Sequence, residues 1–166
     1  MNLGYACINM GLSERPKKHR ITTNRSMIRR TFDKEGVNYA SHLGYLNVQD
    51  LYKILQWNEA NGFKFYRMSS NMFPWASEYD WDDLPNIDRI KEWLKMSGDY
   101  AKKHGHRITC HPGPFNKLTS DNERIIQNTI TDLEMHGWIF DQMGLPRTPF
   151  AKINIHVGAS YGDKQK

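Results

Sequence analysis

Two histidines in this chain stand where a metal-dependent hydrolase would need them. His111 closes the run Arg107-Ile-Thr-Cys-His-Pro-Gly113, and His156 closes Lys152-Ile-Asn-Ile-His-Val-Gly158. Each run is short, rich in β-branched residues and cut off by Gly or Pro-Gly, the pattern of a buried strand. In a parallel βα protein the residue at the C-terminal end of a strand faces the ligand crevice. Imidazoles at equivalent ends of consecutive units are positioned to share divalent ions, which activate water and neutralise an attacked phosphate. Taken singly, either histidine reads first as a strand-end group hydrogen-bonded to backbone; the pair at corresponding positions reverses that preference. Asn71, in the loop after the preceding strand, is a weaker oxygen donor for the same purpose, or a turn cap before Phe73. His104, His106 and His136 fall on or just after helical stretches, where packing roles are expected.

The elements that must hold these groups follow from periodicity. Leu3 to Cys7 reads as a first strand, followed by a long polar connection to about residue 40. A helix is predicted from about Leu43 to Asn61, with Val48, Leu51, Ile54 and Leu55 as its apolar stripe, Asn47 and Asp50 in turn-forming positions, and Asn61-Gly62 as its stop. Phe63 to Ser69 reads as a second strand, alternating through Phe63, Phe65 and Arg67. It leads into the aromatic loop Phe73-Pro-Trp-Ala-Ser-Glu-Tyr79. A helix from about Asn86 to His104 buries Ile87, Ile90, Leu94 and Ala101. After the third strand, Arg107 to Cys110, the pattern Ser120-Asp-Asn-Glu123 resembles a capping box. The helix that follows lines up Ile126, Ile130, Leu133, Phe140 and Met143 as far as Gly144, and Lys152 to His156 forms the fourth strand.

Strands alternating with helices specify an α/β protein with a parallel sheet. The expectation is a single domain over 1–166, of TIM (β/α)8 barrel type, with only the first four βα units present. Eight such units usually take about 250 residues. An open half-barrel exposes sheet edges, so the chain reads as a fragment, a split gene product, or one half of an assembly that self-association or a second polypeptide completes.

Composition narrows the class. With 39% hydrophobic and 25% charged residues the 166-residue chain is globular, and no run reaches the roughly 18 apolar residues of a membrane span. The N-terminus lacks a signal-peptide core, which predicts a cytoplasmic protein. In that compartment Cys7 and Cys110 are expected as reduced thiols. The net charge of +5 is local: Arg15, Lys17, Lys18, Arg20, Arg25, Arg29 and Arg30 crowd residues 15–30 without an acid, leaving 16 bases against 18 acids elsewhere. Such a patch suits phosphate, or is simply a solvated loop. Phosphate-loop, nucleophile-elbow and Cys-x-x-Cys motifs are absent.

Six sets of segments occur in order: Leu3-Gly-Tyr-Ala-Cys-Ile-Asn9, Thr22-Thr-Asn-Arg25, Trp57-Asn-Glu-Ala-Asn-Gly62, Phe65-Tyr-Arg-Met-Ser-Ser70 with Phe73-Pro-Trp-Ala-Ser77, Lys103-His-Gly-His106 with His111-Pro-Gly113, and Ile155-His-Val-Gly158 with Tyr161-Gly-Asp163. Together they resemble the UV damage endonuclease family, DNA repair enzymes with an endonuclease IV-like TIM barrel. They span nearly the whole chain in the order of the family's N-terminal half. The resemblance implies metal-dependent nicking of double-stranded DNA immediately 5′ of UV photoproducts, with Mn²⁺, or else Zn²⁺ or Mg²⁺, as the ion. It implies His111, His156 and Asn71 as metal ligands. Tyr5, Asn9, Pro114, Phe115, Trp75, Arg25, Arg29 and Arg30 become lesion and DNA contacts; the alternative for Trp75 is simple packing of its loop, and for Phe115 a core-facing place next to a turn. Relatives carry Gln before the aromatic where this chain has Pro114, which removes an amide able to satisfy vacated base hydrogen bonds. Other readings are a catalytically incomplete DNA-binding or assembly module, and a sugar-isomerase-like barrel.

Overall fold

The computed structural model describes residues 3–113 and 116–155; His156, Pro114 and Phe115 lie outside the described residues. Four strands, β1 (Gly4–Ala6), β2 (Phe65–Met68), β3 (Arg107–Cys110) and β4 (Lys152–Ile153), form one parallel sheet in the order β1-β2-β3-β4. The register pairs Tyr5 with Tyr66, Tyr66 with Ile108, and Cys110 with Ile153. A sequential parallel order follows when each crossover helix advances the chain by one strand in the same direction.

The crossovers are α2 (Arg29–Ala60), α3 (Ile87–Lys103) and α4 (Glu123–Gln142); a short α1 (Met10–Ser13) precedes them. All three long helices cover one face of the sheet. Val48, Leu51, Ile54 and Leu55 of α2 and Ile90, Leu94 and Ala101 of α3 are buried against Tyr66, Met68, Ile108 and Cys110. Gly98 of α3 lies where a Cβ would fall on the Met143 carbonyl, so glycine alone permits this approach of α3 to the end of α4.

Several sequence expectations shift. The helix predicted to begin near Leu43 starts at Arg29 and is interrupted at Gly36, whose φ of 63° and ψ of −159° break its geometry. Asn47 and Asp50 are not in turns: both lie inside α2, buried, because their side chains serve the backbone of the N-terminal loop. In β2 the buried residues are Tyr66 and Met68 rather than Phe65 and Arg67, since the even-numbered positions face the helices. The cap of α4 is Asn122, whose side chain accepts from the Arg124 N–H at 3.0 Å, while Ser120 supports Asn122 instead of capping the helix. Ile126, Ile130 and Leu133 are only half-buried, and the buried line of α4 runs through Thr129, His136, Ile139 and Phe140 to Met143. No helix among the described residues is long and apolar enough to cross a membrane.

Candidate functional site

The C-terminal ends of β2 and β3 lie side by side, because Met68 and Cys110 are paired in register. One residue further along, Ser69 and His111 begin the two loops. The His111 ring is fixed by a 2.8 Å hydrogen bond between Nδ1 and the Pro112 carbonyl. A carbonyl only accepts, so Nδ1 carries the proton, and in the neutral ring the lone pair is on Nε2. A histidine that ligates a metal is usually held in this way.

The loop after β2 folds over the first turns of α4 to enclose a polar cavity of about 490 Å³. Asn71 and Trp75 line it from the loop; Arg124, Asn128 and Asp132 line it from α4. The Asn71 N–H is turned toward Ser69 Oγ at 3.3 Å, and Ser69 in turn bonds Asn24. Asp132 is held by Asn116 Nδ2 at 2.5 Å and sits one helical turn from buried His136, whose Nδ1 donates to the Asp132 carbonyl at 2.7 Å. The structure thus brings Asn71 and Trp75 into one cavity, with His111 at the neighbouring strand end. Among the described residues no group of three or more His, Cys, Asp or Glu side chains is placed to hold a metal ion.

The basic segment divides into two populations. Arg25 is an internal clamp: its guanidinium meets Asp50 at 2.6 Å and the carbonyls of Thr22 and Arg20 at 2.5 and 3.1 Å. Arg29 bridges Asp33 and Glu78 at 2.7 and 3.0 Å, and its guanidinium lies 5.2 Å from the Trp75 ring centre and 5.7 Å from that of Phe32. Trp75 stacks on Phe32 and donates its indole N–H to the Met27 carbonyl at 3.1 Å, which ties the loop after β2 to the start of α2. Arg15, Lys17, Lys18, Arg20 and Arg30 are exposed and make no ion pair among the described residues.

Tyr5 and Asn9 are placed in packing on the helix-covered side. The Tyr5 hydroxyl donates to Asn58 Oδ1 at 2.6 Å and accepts from Asn9 Nδ2 at 2.9 Å, while Asn9 Oδ1 caps α1 through the Leu12 N–H at 3.1 Å. Burial raises the Tyr5 hydroxyl above its ordinary pKa.

Sequence reasoning missed Asp50 and Asn47 as the anchors of the basic segment. Asn47 accepts from the Arg25 N–H at 3.0 Å and donates to the carbonyls of Arg25 and Met72, joining both loops. The available signal was their spacing: polar residues three apart, next to the apolar stripe of a long helix. It also missed a second cluster at the opposite end of the sheet. There Glu59 receives Lys64 Nζ at 2.5 Å and His106 Nε2 at 2.6 Å, and these contacts, Lys64 foremost, lower its carboxyl to about 2.

The chain matches the UV-endonuclease UvdE family over residues 1–166. An Acanthamoeba polyphaga mimivirus protein assigned by name to the UV-damage endonucleases is 33% identical over 172 residues, covering 99% of this chain and 49% of the relative. A UV-damage endonuclease of Schizosaccharomyces pombe is 33% identical over 166 residues, covering 99% of this chain and 27% of the relative. The crystal structure of SacUVDE superimposes with a TM-score of 0.80 at 28% identity, over 96% of this chain and 50% of that one. The chain therefore spans about half the length, or less, of these relatives.

Proposed function

The chain belongs to the UV-endonuclease UvdE family, and on that premise we propose that it supplies the N-terminal part of a barrel endonuclease that nicks DNA 5′ of UV photoproducts through divalent metal ions. The observation that carries the reading is His111, at the C-terminal end of β3, held by the Pro112 carbonyl in the tautomer that coordinates through Nε2. Asn71 on the adjacent loop offers an amide oxygen, and His156 is the further ligand that the resemblance implies. The remaining ligands then come from outside the described residues. When bound, Mn²⁺ or a similar ion would activate water and neutralise the phosphate.

The residues of this chain divide the remaining work. Arg15, Lys17, Lys18, Arg20 and Arg30, which make no ion pair among the described residues, meet the phosphate backbone. Arg25 and Arg29 shape the surface that presents them. Phe115 offers a stacking face to a photoproduct, which is cheaper to unstack than normal bases, and Pro114 narrows the hydrogen bonding available there. Trp75, with Arg29 over its ring, holds the wall of the cavity beside the strand ends.

The test is nicking of UV-irradiated supercoiled DNA with Mn²⁺, by the chain alone and mixed with the unmatched part of the mimivirus relative, with undamaged DNA as control. Damage-dependent nicking that His111→Ala removes, with DNA binding retained, is the expected result. A folded wild-type mixture that neither nicks nor prefers irradiated DNA overturns the reading. Replacing Lys17, Lys18 and Arg20 by Ala should lower the slope of log K against log salt by about 2.7, at roughly 0.9 per phosphate contact. A second reading, a DNA-binding or assembly module without its own chemistry, is favoured by Pro114, which lacks the amide that relatives carry before the aromatic. It predicts preference for damaged DNA with no nicking in either arm.

A further inference from the structure

The cavity between the loop after β2 and the first turns of α4 has a charge at each end that no opposite charge of the described chain answers. Arg124, in the first turn of α4, lines it and makes no ion pair among the described residues. Asp132 lines it too and meets no Lys or Arg there. Asn116 Nδ2 holds one of its carboxylate oxygens at 2.5 Å, and His136, 3.6 Å from the other, gives its Nδ1 proton to the Asp132 carbonyl. The remaining acid of the lining, Glu78, is taken by Arg29 at 3.0 Å. Arg124 and Asp132 stand a little over two turns apart on α4, about 12 Å along its axis, with Asn128 between them. Trp75 forms the opposite wall. Phe32 and Arg29 lie 5.8 and 5.2 Å from its ring centre, and Arg29 is 5.7 Å from that of Phe32, so both crowd one side of the indole and leave the other to the cavity. The Trp75 backbone is left-handed, with φ of 60°, a costly conformation for a bulky residue and one that clusters at ligand clamps.

We propose that this cavity binds a single guanine nucleotide, with the base edge at Asp132, the ring against Trp75 and the phosphate at Arg124. A cation alone would satisfy Asp132 and leave Arg124 unanswered; a phosphate alone would do the reverse. A nucleotide answers both, and the reach from its base edge to its phosphate matches the spacing of the two charges along α4. The helix dipole at the start of α4 adds to the attraction for phosphate. The identity of the base follows from a carboxylate being an acceptor only. Guanine presents two adjacent donors, N1–H and the N2 amino group, beside an O6 acceptor that the Asn128 amide can meet. Adenine and cytosine place a lone pair next to their amino group, and thymine flanks its one N–H with carbonyls. Each of these sets an acceptor against Asp132. The same argument disfavours a thymine photoproduct, so the ligand is an undamaged nucleotide. Its contacts are the same whether it is free or part of a DNA strand; the second source rests on the nuclease reading, and the first does not.

The experiment is titration calorimetry of the full chain with dGMP, dAMP, dCMP and dTMP, together with fluorescence anisotropy of labelled oligothymidine strands that carry one central guanine or adenine. Guanine should bind about 10-fold tighter than the other bases, the discrimination of one bidentate contact. Asp132→Asn keeps an acceptor for Asn116 and should abolish that preference with the melting point unchanged. Arg124→Ala, at an exposed position, should weaken dGMP and leave the nucleoside deoxyguanosine unaffected. Guanine bound only as dGMP assigns the site to a free nucleotide, and guanine bound only in the strand assigns it to DNA; either result retains the proposal. Absence of binding in both arms overturns it, as does equal binding of the four bases. A guanine preference that Asp132→Asn leaves intact, or dGMP binding that Arg124→Ala leaves intact, overturns it as well. The nuclease reading fails separately: a mixture that prefers guanine but neither nicks nor prefers irradiated DNA would sink that reading and keep this site, and damage-dependent nicking without a guanine preference would do the opposite.

Discussion

Removal of the Asp50 carboxylate should release the basic segment from the body of the protein. Its side chain is 4% exposed and carries three donors: Arg25 at 2.6 Å, Lys53 at 2.8 Å and the Thr22 N–H at 3.1 Å. Breaking a buried pair by deleting one partner costs about 3–5 kcal/mol. Two facts lower that figure here. Lys53 is half exposed, and such pairs contribute about 0–1 kcal/mol; Arg25 keeps its carbonyl contacts with Thr22 and Arg20. About 3 kcal/mol is the resulting expectation for Asp50→Ala. Asp50→Asn keeps an acceptor and should cost about half as much, since hydrogen bonds to charged groups contribute about 1.5–3 kcal/mol and neutral ones about 1. For a chain of this length the Ala variant should melt about 6–12 °C lower, at about 2–4 °C per kcal/mol. Trypsin should then cut first within residues 15–25. Thermal melts of Asp50→Ala, Arg25→Ala and the double variant form a cycle whose coupling should reach about 1–2 kcal/mol. A melting point within about 2 °C of wild type, or fully additive single variants, would refute the clamp.

Other perturbations probe the fold and its other clusters. Glu59 has its carboxyl lowered to about 2 by Lys64 and then His106. A depressed carboxyl stabilises above its unfolded pKa and loses that contribution as pH falls toward the folded one. Urea midpoints of wild type and Glu59→Gln should therefore differ at pH 6 and converge as pH approaches 2; a constant gap would exclude the linkage. Gly98→Ala should destabilise by about 1–3 kcal/mol despite the higher helix propensity of alanine, because the added carbon meets the Met143 carbonyl. Chemical denaturation would show this, and a stabilised variant would mean that α3 and α4 are further apart. Burial, reinforced by the Asp132 charge, pushes the Cys110 thiol up to about 12. Thiol titration of the native protein should then label Cys7 only, with Cys110 reacting on unfolding.

What was legible in the sequence depended on the scale of the signal. The β3 strand, Arg107 to Cys110, coincides with its prediction, and the buried stripe Val48, Leu51, Ile54 and Leu55 is where periodicity put it. The parallel alternation followed from both. The face of β2 was misread because every residue from Phe63 to Tyr66 except Lys64 is aromatic, so alternation could not tell inside from outside. Asn47 and Asp50 were misread for a related reason. Asn and Asp normally favour turns, and only tertiary structure shows that these two side chains satisfy the backbone of a loop more than twenty residues earlier. At the strand ends, the position of His111 directly after β3 was legible in the sequence, but its ring orientation depends on the Pro112 carbonyl, which spacing alone does not report.

The same distinction decides how the local positive charge can act. Counted in the sequence, seven bases between residues 15 and 30 look equivalent. Arg25 and Arg29 are consumed by Asp50, Asp33 and Glu78, contacts that hold the segment against α2 and the loop after β2 against its start. Substituting either of these should alter DNA affinity indirectly, through the shape of the segment, and should lower stability at the same time. Arg15, Lys17, Lys18, Arg20 and Arg30 have no such duty, so their removal should alter affinity and its salt dependence while leaving the melting point in place. A basic patch that mixes anchoring with free cations differs from a merely solvated loop in this respect. In a solvated loop no member would be tied to a buried carboxylate, and the orientation of the remainder would be free. Here the anchors fix where the free cations stand relative to the strand ends, the placement that the proposed approach of a phosphodiester to His111 requires.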